Sequence, residues 1–308
     1  MADDGPFHPG ERAAQKRGGS GPMIGAFGAR FIRDAMPDQH RAFFAKLPFV
    51  VMGAVDPDGR PWASILCGAP GFVATPDDRR IRIGALPPEG DPIATGLAEG
   101  MPFGLLGIEP ATRRRNRANG RVEAADPDGL SLFVTQSFGN CPRYIQARGF
   151  HAATDRPGTP RELGGLDAAA RDAAAAADTV FVASAAHGGV DASHRGGPEG
   201  FVRVEGDTLT IPDYAGNKFF QTLGNLVENP VAGLVVPDFA TGDVLSVTGR
   251  TEILWEGDRD TARYVGAERA WRVHVTRAVR LPAALPMRSD VKEDAREIAH
   301  LGRWPDGA

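Results

Sequence analysis

Two stretches in the second half of the chain place fixed positive charge beside glycine: Ser193-His194-Arg195-Gly196-Gly197 and Asp213-Tyr214-Ala215-Gly216-Asn217-Lys218. In the first, a guanidinium neighbours two residues that let backbone approach a ligand closely. In the second, Lys218 is expected to open a helix running from Asn217 to Glu228, whose free N–H groups and positive dipole end would hold a phosphate. Taken singly, Arg195 and Lys218 read as solvated surface cations; taken together they read as an anion site. His194 is a candidate proton donor or a packed histidine. Cys141, before Pro142 at an expected helix start, reads as a buried structural thiol. Arg113, Arg115 and Arg117 alternate along one strand face, either to hold an anion or as an exposed barrel surface.

The elements that must position these residues occur twice. Residues 51–123 are rewritten, loosely, as 180–252: Ala63-Ser64 recurs as Ala192-Ser193, Gly71-Phe72-Val73 as Gly200-Phe201-Val202, Gly104-Leu105 as Gly233-Leu234, and Gly120-Arg121 as Gly249-Arg250, always 129 residues on. One offset held over that length means two copies of one structural unit. The first copy has Ile65-Leu66 where the second has His194-Arg195, so the second reads as the anion-binding copy and the first as its degenerate partner.

Short apolar runs bounded by turn residues predict strands at 49–55, 62–66, 71–74, 81–83, 103–108 and 113–122, and again at 180–185, 192–195, 200–204, 208–211, 231–236 and 244–252. A further strand is expected at 271–279, and helices at 38–47 and 258–268. The pattern is mainly β with flanking helices, as barrels or sandwiches. Domain expectations are an N-terminal arm at 1–40, a first barrel at 41–150, a Pro/Gly-rich linker with an Ala-rich helix capped by Asp167 at 151–178, a second barrel at 179–290, and a loose tail at 291–308.

Composition narrows the function classes. With 35 basic and 39 acidic residues the net charge is −4, which gives no reason to expect nucleic acid or an anionic membrane as partner. No apolar run approaches the length of a membrane helix and the N-terminus is not of signal-peptide type, so a soluble cytoplasmic protein is expected. Two cysteines and no metal-ligand spacing lead to no expected metal.

Thr208 to Glu252, above all Asn217-Lys218, Glu228-Asn229-Pro230, Leu234-Val235-Val236-Pro237 and Val247-Thr248-Gly249-Arg250-Thr251-Glu252, resembles the core of the pyridoxamine 5′-phosphate oxidase-like family of FMN-binding split barrels. The tandem arrangement, with Phe138-Gly139-Asn140-Cys141-Pro142-Arg143-Tyr144 after the first copy, is similar to a tandem branch of that family. The resemblance implies two split barrels forming a pseudo-dimer, with FMN in the groove between them. It implies that Arg195 and Lys218, with His194, Gly196 and Asn217 beside them, hold the phosphate or ribityl chain. Ile211 and Pro212 would lie against the isoalloxazine through their backbone, and Gln136 and Ser137 resemble a pair that contacts flavin from the partner subunit. Trp62 would either cover the flavin or pack in the core.

There are departures. Asn217 replaces the first member of the family's basic pair, Val244 replaces a usual glutamine, and nothing matches the residues that clamp pyridoxal phosphate, so vitamin B6 oxidation is not expected. The implied function is an FMN-dependent oxidoreductase acting on a small organic substrate, as a homodimer or an intrachain pseudo-dimer. The alternatives are a non-catalytic flavin- or haem-binding protein, with His187, His194 or His274 as axial ligand, and a deazaflavin-dependent reductase.

Overall fold

The computed structural model describes residues 5–257, 264–289, 292–302 and 304. Three helices open it: α1 (Pro9–Arg17), α2 (Gly21–Phe31) and α3 (Asp38–Phe44). The first sheet contains β1 (Phe49–Val55), β2 (Pro61–Cys67), β3 (Val73–Ala74), β4 (Arg80–Ile83), β5 (Pro102–Glu109), β6 (Arg114–Asp126) and β7 (Gly129–Gly139), in the order β2-β1-β5-β6-β7-β4-β3. A connecting segment carries β8 (Ala147–Arg148), β9 (His151–Ala152), β10 (Arg161–Leu163) and α4 (Ala168–Ala175). The second sheet follows with β11 (Thr179–Ala186), β12 (Gly189–Gly196), β13 (Arg203–Glu205), β14 (Thr208–Tyr214), β15 (Val231–Pro237), β16 (Val244–Leu254) and β17 (Ala267–Leu281), with α5 (Gln221–Glu228) between β14 and β15. Its order, β12-β11-β15-β16-β17-β14-β13, repeats the first strand for strand, and β10 joins it beside β17. The short β18 (Met287–Arg288) and β19 (Lys292–Glu293) pair back with β9 and β8.

The near-continuous apolar run of β1 has a geometric cause. Successive side chains of a strand face opposite ways. Val50, Met52 and Ala54 enter the core of the first barrel, while Phe49 and Val51 enter a second cluster shared between barrels. β11 divides in the same manner, Val180 and Val182 inward, Phe181 and Ala183 toward the shared cluster. The halves also touch backbone to backbone. A Cβ on Gly104 would lie 2.6 Å from the Ala192 nitrogen, and one on Gly233 2.4 Å from the Pro61 carbonyl, so the two equivalent glycines make reciprocal close approaches that no side chain fits.

Asp167 caps α4 as expected, its carboxylate accepting from the Ala170 N–H at 2.8 Å. Where the second copy has α5, the first has only a 3-10 turn, Pro92–Gly96. Other expectations are corrected. The sequence reading expects no strand at 129–139, yet β7 lies there between β6 and β4. The expected helix at 258–268 lies mostly outside the described residues, and Ala267 and Glu268 already belong to β17. The tail is tied down at Trp304, whose indole N–H donates to the Phe201 carbonyl at 2.8 Å. The arm is a packed element rather than a loose leader. α1 lies on α5 so closely that a Cβ on Gly224 would sit 2.5 Å from Glu11 Cα, and Glu11 and Gln15 are buried. No helix among the described residues is long and apolar enough to cross a membrane.

Candidate functional site

Where β6 and the end of β7 meet β12, β14 and the loop before α5, side chains from both barrels line a two-lobed groove. One lobe is lined by Arg117, Arg195, Asp213, Lys218, Gln221 and Arg269 among others, the second by Arg115, Cys141, Arg143, His194, Gly196 and Pro212. Each encloses about 80 Å³.

The groove is strongly cationic and internally wired. Arg115 donates from Nε to the Cys141 carbonyl at 2.8 Å and lies with Nη1 3.0 Å from His194 Nδ1. An arginine only donates, so Nδ1 of His194 accepts and its proton sits on Nε2. Arg117 donates to Gln221 Oε1 at 3.0 Å, lies 3.7 Å from the Asp191 carboxylate and covers the Phe138 ring. Asp213 sits between two guanidiniums, 3.4 Å from Arg195 and 3.0 Å from Arg269.

Burial pulls Arg117 down to about 10; Asp191 opposes this, while repulsion from Arg115 and Arg195 adds to it. Burial likewise lowers Arg115. His194 is held well below its ordinary value, first by burial and then by Arg115, Arg195, Arg117 and Arg148. The neutral form is therefore favoured, which leaves an Nε2–H to donate rather than an imidazolium. The Nε groups of Arg117 and Arg195 are buried without a hydrogen-bond partner. Buried donors of this kind are satisfied when a ligand oxygen reaches them.

Of the residues singled out from sequence, His194, Arg195, Gly196, Pro212, Asn217 and Lys218 line the groove. Lys218 does not open the helix: it has φ 60 in a loop, and α5 starts at Gln221 after a second left-handed residue, Phe220. Ile211 is buried in the second barrel core. Gln136 and Ser137 line neither lobe; Gln136 accepts from Asn119 Nδ2 at 3.2 Å, and Ser137 Oγ lies 2.8 Å from His40 Nδ1. Trp62 is core, its N–H donated to Asp56 at 3.0 Å.

Arg115 and Arg117 face the groove rather than solvent, whereas Arg113 has left-handed backbone before β6 and donates to the Ile145 carbonyl. Cys141 is half-buried on the groove wall, in an irregular segment rather than at a helix start. Of the haem-ligand candidates, His274 lies on an exposed strand position with Thr208 as partner and His187 in the β11–β12 turn.

Sequence reasoning missed Arg269, because its strand was started at 271, and missed the aromatic wall. The rings of Tyr144 and Tyr214 lie 4.9 Å apart, tilted by 36°, and the Tyr214 hydroxyl donates to that of Tyr264 at 2.8 Å.

The equivalent place in the first copy is differently built. Ile65 and Cys67 stand where the second copy has His194 and Gly196, the pocket there is lined also by Pro88 and Glu89, and Pro157, Gly158 and Pro160 of the connecting segment cross it. A carboxylate and prolines line this place, without the cations of the second copy.

A family model described as pyridoxamine 5′-phosphate oxidase matches residues 36–157 and again residues 166–298. No curated protein sequence matches the chain. Among solved structures, the HupZ protein of Group A Streptococcus is 20% identical, covering 37% of this chain and 91% of its own, with a TM-score of 0.30. A FAD-binding protein from Mesorhizobium loti is 16% identical, covering 40% and 97%, with a TM-score of 0.28. With the duplicated strand order and the two matched segments, the chain belongs to the pyridoxamine 5′-phosphate oxidase family, as two tandem copies of its split barrel in one polypeptide.

Proposed function

We propose that this protein is an FMN-dependent oxidoreductase acting on a small organic substrate, with one flavin per chain in the groove between the barrels. The observation that carries this reading is the convergence of Arg115, Arg117, Arg195, Lys218 and Arg269 on one groove, with guanidinium N–H groups left unpartnered. That donor set fits a phosphate monoester. The degenerate equivalent in the first copy supports the stoichiometry.

In this reading Lys218 and Arg195 hold the phosphate, and Arg117 adds charge from the opposite barrel. Asp213 keeps Arg195 and Arg269 in place. Bound flavin supplies hydride or electron transfer, which leaves the protein to orient the ring and shield it. Tyr144 and Tyr214 form an aromatic wall, Arg143 offers a cation at the mouth for an anionic substrate group, and neutral His194 fixes Arg115. The protein would work in the cytoplasm, with Cys67 and Cys141 as thiols.

The test is the absorption spectrum of purified protein and an FMN titration followed by flavin fluorescence. Saturation near one equivalent, weakened by Lys218→Ala and Arg195→Ala, is expected. Protein that stays colourless at excess FMN would overturn the reading.

A further inference from the structure

We propose that His8, His187 and Glu228 form a divalent-cation site, of the zinc class, that clasps α1 to the far end of α5. The three come from separate parts of the chain: His8 precedes α1, His187 occupies the β11–β12 turn, and Glu228 ends α5. Their ligand atoms lie within 4.8 Å of one another. Neighbouring ligands in a tetrahedral zinc site with bonds of about 2.1 Å are about 3.4 Å apart, so closure needs a swing of about an ångström. His187 and Glu228 are exposed enough to make it, with His187 Nε2 already 3.6 Å from Glu228 Oε1. The His8 and His187 rings lie 4.9 Å apart, tilted by 40°.

The surroundings of His8 are those of a prepared ligand. Asn225 Nδ2 donates to Ser184 Oγ at 3.0 Å and to Asp191 Oδ2 at 2.8 Å, which fixes the amide and turns its Oδ1 to His8 Nε2, 2.8 Å away. Nε2 therefore carries the proton, and the lone pair sits on Nδ1. That nitrogen is buried, makes no hydrogen bond of normal geometry, and faces the Glu11 N–H across the first turn of α1. A ligating histidine characteristically donates its other ring N–H to such an oxygen. A cavity of about 240 Å³, lined by His8, Glu11, His187, Asp191 and Asn225 among others, adjoins the cluster and leaves room for water as a further ligand. Two imidazoles and a carboxylate with an open position suit zinc better than magnesium or calcium.

The test uses the full chain, freed of metal with chelator and titrated with zinc sulfate by calorimetry, with magnesium chloride as control. One zinc per chain is expected, with no magnesium uptake. His187→Gly, which relieves the left-handed backbone at φ 50, and Glu228→Gln should each weaken zinc at least tenfold. Zinc should also slow proteolysis of α1 in the unaltered chain and not in either variant. Absence of zinc uptake, or uptake equally tight in both variants, overturns the site.

Discussion

Glu11 offers a quantitative probe of how the N-terminal helix is held. Its carboxyl is pushed from an ordinary 4.5 to about 8, mainly by burial under α1, with repulsion from Asp191 second. Below pH 4.5 the group is protonated in folded and unfolded chains alike, so burial carries no ionisation cost. Between 4.5 and about 8 the folded chain retains a proton that the unfolded chain releases, and stability falls with rising pH; above that range the loss is constant. At about 1.36 kcal/mol per pKa unit, the loss is roughly 1 kcal/mol at pH 5, roughly 3 kcal/mol at pH 7 and at most ~5 kcal/mol above pH 8. Glu11 is buried where α1 packs on α5, so the loss falls on the docking of α1.

Glu11→Gln keeps an acceptor for the His8 N–H, which now lies 2.9 Å from Oε2, and removes the ionisation. Hydrogen exchange of the α1 amides should slow by up to roughly 100-fold at pH 7 in this variant, about 3 kcal/mol at tenfold per 1.4 kcal/mol, and by only about fourfold at pH 5. Equal protection of variant and wild type at pH 8, or the same gain at both pH values, would refute the reasoning.

Arg195→Ala should raise the FMN dissociation constant by roughly 10- to 100-fold, the worth of a charged hydrogen bond of about 1.5–3 kcal/mol; Lys218→Ala, at an exposed position, should give the smaller effect, both read by fluorescence titration. Asp213→Asn removes a carboxylate that competes for Arg195 and Arg269, and should tighten FMN in the same titration while lowering the melting temperature. Gly104→Ala and Gly233→Ala each force a Cβ into the other barrel's backbone and should cost about 1–3 kcal/mol by overpacking, seen as a shifted urea midpoint; unchanged midpoints would mean that the seam is loose.

The duplication was readable because β5, β6 and the hairpin strand β2 keep a constant offset to their counterparts. β7 escaped for the reason that the others were found. The connection between β16 and β17 is longer than the turn between β6 and β7, so the offset grows from 129 at Ala118 and Val247 to 141 at Ser137 and Ala278. Leu130, Leu132 and Val134 do alternate as buried residues, a period-two signal visible without the repeat. Of the site, the cations of β12 and of the loop before α5 stood out beside glycine. Arg115 and Arg117 remained ambiguous because a strand face shows alternation but not what packs against it. Arg269, Tyr144 and the docking of α1 depend on long-range packing that no local spacing encodes.

The covalent joining of the two barrels has a consequence for occupancy. In a family whose groove is built at a subunit boundary, dilution separates the walls and releases whatever they hold. Here both walls belong to one polypeptide, with Arg117 and Lys218 delivered in fixed ratio, so on the proposed reading retention of flavin should not depend on protein concentration.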